Sequence, residues 1–325
     1  MRYGRVYYNS GMRTLAPADR IVRRRLQALT TQVPLARGGD PEAIHQARVA
    51  SRRLREAIPL ADGVLETGRV RQIRHDIRVV TRALGPVREL DVALETLAAC
   101  AATKAAHLPA IRTVDIVLRA ERSAAFSRLQ QELTAGRLER VSLGSREAAS
   151  ALGTQAAARH AAGLLAARLR RRGRELGDAL QAVGHLYAAG PLHAARIALK
   201  KLRYALEVAE QLGRFRLAGS LVRLRHAQEV LGELHDLQVV SGRVRDVPST
   251  SGGQENRVAL AELSDDLDRA IRRLHVGFLQ ERHRLAPVLA RIQPLCLTLG
   301  VLPVRMAAGG RGLHPRPVVR IGKAS

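Results

Sequence analysis

A chain of 325 residues with 46% hydrophobic content can bury one large core or two ordinary ones, and it is too apolar for wholesale disorder. Its formal charge of +25 rests almost wholly on arginine, since lysine occurs only at positions 104, 200, 201 and 323. A surface of this kind attracts polyanions, and the arginine fork pairs two phosphate oxygens at once.

Apolar residues recur every three or four positions in stretches longer than a strand, and period-two alternation is missing, which predicts an all-α class. An N-terminal segment, 1–16, precedes the first helix, and "TTQVPLARGGDP" (30–41) ends that helix. Asp40 followed by Pro41 reads as the N-cap and first residue of the next helix. "ADGVLETG" (61–68) closes it, "ALGPV" (83–87) ends another, and "AAHLP" (105–109) separates a shorter piece from a long run, Arg112 to Leu138. Gly190 and Pro191 open a later helix. Near the C-terminus the uncharged stretch "IQPLCLTLGVLPV" (292–304) is too short for a membrane span and holds two prolines. The first residues lack an apolar signal core, so a cytoplasmic protein is expected. Cys100 and Cys296 have no partner at ligand spacing, so neither a disulfide framework nor a zinc site is expected.

The helix "IHQARVASRRLREAI" (44–58) returns 148 positions later as "LHAARIALKKLRYAL" (192–206). His45, Arg48 and Arg55 meet His193, Arg196 and Arg203, while Arg52 and Arg53 meet Lys200 and Lys201. Downstream, "LGPVRELDV" (84–92) matches "LGELHDLQV" (231–239). An internal duplication is therefore expected, with units far longer than a solenoid repeat. Two similar helical bundles follow, covering 17–142 and 161–303, joined by a linker or helix start at 143–160 and trailed by a basic, disordered tail, 304–325.

At about 100° per residue, Ile44, Ala47, Ala50, Leu54, Ala57 and Ile58 share one face. His45, Arg48, Arg52 and Arg55 fill an adjacent arc, and His193, Arg196, Lys200 and Arg203 repeat it in the copy. Each stripe runs about 15 Å, which suits an extended chain of charges better than a small anion. Like charges at these spacings oppose their own helix by about 0.2 to 0.5 kcal/mol per pair, so they invite an anion. Glu207, one turn beyond Arg203, is positioned to pair part of the second stripe internally. A third stripe, Arg71, Arg74, Arg78 and Arg82, is thinner in the second half, where Arg225 matches Arg78 but Glu229 replaces Arg82.

Both helices, with their H-x-x-R-[VI]-A-x-[RK]-[RK]-L-R pattern, and the "LG" plus acidic turn after them resemble the CHAD family, the conserved-histidine α-helical domains. The resemblance spans about Pro17 to Pro303. It implies two four-helix bundles related by a pseudo-twofold, around a basic central groove or pore that binds inorganic polyphosphate, with association with polyphosphate granules. Carried over by position, the groove residues are His45, Arg48, Arg52, Arg53, Arg55, His193, Arg196, Lys200, Lys201 and Arg203, to which Arg78, Arg82 and Arg225 add the third stripe. Glu89 stands where the family usually has aspartate, and Asp236 keeps the aspartate in the second half.

A catalytic role for His45 and His193 lacks a serine or cysteine nucleophile at matching positions. Neither the E-x-E metal motif of the triphosphate-hydrolysing domain that often accompanies this family nor a P-loop occurs. The expected protein is non-enzymatic, without cofactor or metal. Nucleic-acid binding is the alternative, and a phosphohydrolase acting on phosphoanhydrides the third reading; 2% aromatic residues leave little for base stacking.

Overall fold

The computed structural model describes residues 17–102, 104–248 and 253–301. The segment 1–16 and the expected tail 304–325 lie outside the described residues. The helices are α1 (Ala18–Arg37), α2 (Pro41–Ala57), α3 (Thr67–Ala101), α4 (Leu108–Glu132), α5 (Ala135–Ala151), α6 (Gln155–Ala182), α7 (Ala189–Gly213), α8 (Ala218–Asp246), α9 (Gln254–Glu281), α10 (Ala286–Ala290) and α11 (Ile292–Val301). Among the described residues the architecture is all-helical.

Packing follows the order of the chain. Helix α1 lies on α2, α2 on α3 and α3 on α4, and α5 returns to α1. The same order recurs as α6 on α7, α7 on α8 and α8 on α9, with α11 returning to α6. The first half thus carries one helix beyond the four expected, α5 on α1, and the second carries two, the short α10 and α11, which packs on α6. Helices α3 and α8 meet, as do α4 and α9, and α2 and α7, so the halves share one continuous interior.

Side-chain caps fix three of the helix starts. Asp40 caps α2, its carboxylate accepting from Ala43 N at 2.6 Å, and Pro41 occupies the first turn. Thr154 caps α6 by accepting from Ala157 N at 3.1 Å. The expected connector 143–160 is itself mostly helix, being the end of α5, the turn at Leu152–Thr154 and the start of α6. Thr134 caps α5 and splits the expected run Arg112–Leu138 after Glu132.

"ALGPV" does not end a helix, since α3 runs through Gly85 and Pro86 without a break. Proline inside a helix costs about 3 kcal/mol through its lost N–H and its clash with the preceding turn. Here Pro86 faces outward while Leu84 and Val87 on either side are fully buried, and that burial offsets the defect.

A tight turn between α2 and α3 places Gly63 at φ 76°, where a Cβ would meet His160 Nε2 at 2.7 Å. That ring is held in place by Asp62 O at 2.8 Å. Gly63→Ala is expected to lower stability by more than about 1 kcal/mol, read as a shifted urea midpoint at unchanged slope.

Candidate functional site

The apolar stripe of α2 sets its rotation. Ile44, Ala47, Leu54 and Ala57 are fully buried, which turns the arc carrying His45, Arg48 and Arg52 away from the core of its own half. The antiparallel register against α3 is fixed by Thr81 Oγ1 donating to Ser51 Oγ at 3.0 Å, one turn from the place where the Arg48 guanidinium lies over Gly85. Helix α7 repeats this orientation with Ala195, Leu199 and Leu202 buried, and its arc faces that of α2.

Between α2, α3, α7 and α8 the two arcs enclose a pocket of about 510 Å³. Helix α2 lines it with His45, Arg48, Arg52 and Arg53, and α7 with Arg196, Lys200 and Arg203. Arg88 and Glu89 come from α3, and Gln228, His235 and Asp236 from α8. Seven of the expected residues therefore meet in one place, contributed by both halves.

The pocket is electrostatically strained. Burial, then Arg52, lowers the Arg48 guanidinium from its ordinary value to about 10. Burial lowers Arg196 as well, with Asp236 opposing the shift. Lys200, half-buried and facing Arg196, Arg52 and Arg48, is pushed down to about 7 by burial first and those three charges next. Burial, Arg196, His193 and Lys200 together take His235 to about 4, so that it stays neutral. His45 is also lowered, by burial and then by Arg88. The two acids are few against this charge, and burial raises Asp236.

Two atoms make the deficit concrete. Arg48 Nε and Arg196 Nε are buried without a hydrogen-bond partner, and they occupy equivalent positions 148 residues apart. An unmatched buried donor costs about 1 to 3 kcal/mol, more when charged, so both guanidiniums are left short of acceptors.

At one edge the protein supplies its own anion. Glu207 accepts from Arg53 Nε at 3.1 Å and from Arg203 Nη1 at 2.9 Å, joining α2 to α7 across the halves. Arg203 Nε also donates to Gln228 at 2.9 Å, and its guanidinium stacks on Tyr204 at 4.7 Å. Arg53 and Arg203 are thus satisfied, unlike Arg48 and Arg196.

The remaining expected residues lie elsewhere. His193 sits beside His235, ring centroids 5.7 Å apart, in a neighbouring cavity against α9. Lys201 is exposed on the far side of α7, and Arg225 is exposed on α8 with its Nε toward Leu221 O at 3.4 Å. Arg78 and Arg82 are exposed along α3, and Arg55 is half-buried at the C-terminal end of α2. Arg88 and His235 line the pocket without having been expected there. Their signal was present, since they occupy matched positions in "LGPVRELDV" and "LGELHDLQV".

Among the described residues no helix is long and apolar enough to cross a membrane, and no group of three or more His, Cys, Asp or Glu is placed to hold a metal ion. The CHAD domain profile matches residues 20–245. No curated protein sequence matches the chain. Among solved structures, PptA from Streptomyces chartreusis superposes with a TM-score of 0.62 at 19% identity, covering 83% of this chain and 99% of that one. The CHAD domain from the plant Ricinus communis superposes with a TM-score of 0.51 at 24% identity, covering 90% of this chain and 97% of that one. At these identities the likeness is one of fold.

Proposed function

Because the chain belongs to the CHAD family, we propose that it binds inorganic polyphosphate in the pocket between α2, α3, α7 and α8. The observation that supports this reading best is that Arg48 and Arg196 line one cavity from matched positions, each with a buried Nε that has no hydrogen-bond partner. A chain of phosphoryl groups presents successive anionic oxygens to both, and release of its counterions adds driving force. The protein is read as a binder and not an enzyme. The pocket offers cations to hold oxygens, and no serine or cysteine lines it. The same reading places the protein in the cytoplasm, on polyphosphate granules.

We read the chain as two copies of one unit, with the boundary at Leu152–Thr154. The repeated packing order supports this, as does a matched pair of buried arginines. Arg25 Nη1 donates to Arg53 O at 2.6 Å, and Arg172 Nη1 donates to Lys201 O at 2.7 Å, the acceptors again 148 positions apart. On this reading a pseudo-twofold relates the arcs of α2 and α7, and the pocket is their shared central groove.

The test is competition between long-chain polyphosphate, single-stranded RNA and duplex DNA at matched salt and equal phosphate concentration. Polyphosphate is expected to displace both nucleic acids, because Tyr204, the one Phe, Tyr or Trp lining the pocket, is already covered by Arg203. RNA or DNA displacing polyphosphate would overturn the reading.

Lys200 makes binding depend on pH. In the free protein it titrates at about 7, and a polyanion alongside restores its charge, so binding above pH 7 takes up a proton. Affinity is expected to be level below pH 7 and to weaken above it, by up to about tenfold per pH unit. His235, at about 4, stays neutral throughout that window. Stability of the free protein runs the opposite way. The Lys200 charge is unfavourable in the fold, so this contribution improves as pH rises from about 7 towards the ordinary 10.5. Isothermal titration at pH 7 and 8.5 in buffers of different ionisation enthalpy measures the proton uptake. Lys200→Arg, which stays charged, should flatten the profile.

A further inference from the structure

Resting on that reading, we propose that Arg55, Arg74, Arg78 and Arg168 form a second phosphate-binding subsite, a track along which a long polyphosphate chain leaves the pocket past the C-terminal end of α2. The four side chains come from α2, α3 and α6. Arg168 Nη1 donates to Glu56 O at 2.9 Å and Arg172 Nη2 pairs with Glu56 Oε2 at 2.6 Å, which fixes α6 against the last turn of α2, where Arg55 stands. Helix α3, antiparallel to α2 in the register set by Ser51 and Thr81, brings Arg74 and Arg78 to the same end.

The charges there are close and uncompensated. Burial lowers Arg55, and Arg78, Arg52 and Arg74 oppose its charge further. Burial likewise lowers Arg168 to about 10, with Arg172 and Arg74 pressing in the same direction. Glu56 is the one acid facing both groups, and Arg172 already holds its carboxylate. Among the described residues Arg55, Arg74 and Arg78 make no ion pair. Arg52, which lines the pocket and also faces Arg55, joins the two cation groups.

Of the second-half counterparts of Arg55, Arg74 and Arg78, two offer no free cation, and this gives the track its direction. Arg203, the counterpart of Arg55, is bound by Glu207 and Gln228. Arg225 matches Arg78, but Leu221 and Glu229 stand where Arg74 and Arg82 would be. At these positions Arg55, Arg74 and Arg78 keep their charges without an ion pair, whereas Arg203 is paired by Glu207 and Arg74 has no basic counterpart.

The experiment compares tripolyphosphate, which is too short to reach beyond the pocket, with long-chain polyphosphate, on the parent, Arg74→Gln/Arg78→Gln and Arg48→Gln/Arg196→Gln. Arg74 and Arg78 are exposed, so the first variant should fold as the parent does. It is expected to bind long-chain polyphosphate about tenfold or more weakly, to lose roughly one unit of salt slope per arginine, and to hold tripolyphosphate as the parent does. Unchanged long-chain affinity, or an equal loss for both ligands, overturns the track and leaves the pocket standing. If Arg48→Gln/Arg196→Gln binds tripolyphosphate like the parent, the pocket reading itself fails. On the parent alone, long-chain polyphosphate should show the steeper salt dependence; equal slopes for the two ligands count against the track.

Discussion

Replacing Arg48 and Arg196 together by glutamine is expected to weaken polyphosphate binding by about 3 to 6 kcal/mol, roughly 1.5 to 3 for each charge-assisted contact removed. The fold should survive, because neither Nε has a partner to lose and both helices are held by their apolar stripes. Removing two guanidiniums from a crowded cationic pocket should also raise the melting temperature of the free protein slightly, since like-charged neighbours each cost a few tenths of a kcal/mol, about 0.2 to 0.5. Added polyphosphate should then stabilise the variant less than the parent, as ligand stabilisation tracks affinity. Calorimetric titration and thermal melts with and without ligand measure both effects. A variant that binds like the parent yet melts earlier would make the arcs structural faces.

Glu207→Gln is the complementary case, in which stability falls. The carboxylate is the anion between Arg53 and Arg203, and its charge also faces the buried Arg25. Arg25 is already lowered to about 10 by burial, and Glu207 is the largest influence opposing that shift. Removing one partner of a largely buried ion pair leaves an uncompensated charge and costs about 3 to 5 kcal/mol; the Arg53 side chain, 42% exposed, keeps the expected loss near the lower figure, about 3. Urea denaturation measures it. Because two guanidiniums lose their internal anion, polyphosphate should raise the midpoint of this variant more than that of the parent. An unchanged midpoint would show that Glu207 does not organise this edge of the pocket.

The helical class and the position of the two arcs were legible because helical periodicity reports which face is buried, and here Ile44, Leu54, Leu199 and Leu202 leave no ambiguity. The repeated sequence pattern pointed to matched positions, and Arg48 and Arg196 line the same pocket. What periodicity cannot show is which neighbour a polar arc faces. The arcs are long enough to cross from the pocket to the outside, so Arg55 and His193, drawn on the same wheels as Arg48 and Arg196, end in different surroundings. Proline and glycine misled at "ALGPV", because a local breaker signal is weaker than the burial of Leu84 and Val87 on either side of it. Thr134 and Thr154 cap α5 and α6, but a threonine marks a helix start only once the neighbouring apolar periods are assigned to separate helices.

Glu207 was visible as an acid one turn beyond Arg203. Its second partner, Arg53, lies 154 residues away in sequence, a pairing that only the packing of α2 against α7 creates.

The most direct test of the central claim is a crystal structure of the protein with polyphosphate bound. The account predicts phosphate groups between α2 and α7, with oxygens within hydrogen-bond distance of both Arg48 Nε and Arg196 Nε and the Lys200 ammonium beside them. A chain lying on another surface, with both Nε atoms still unpartnered, would contradict it.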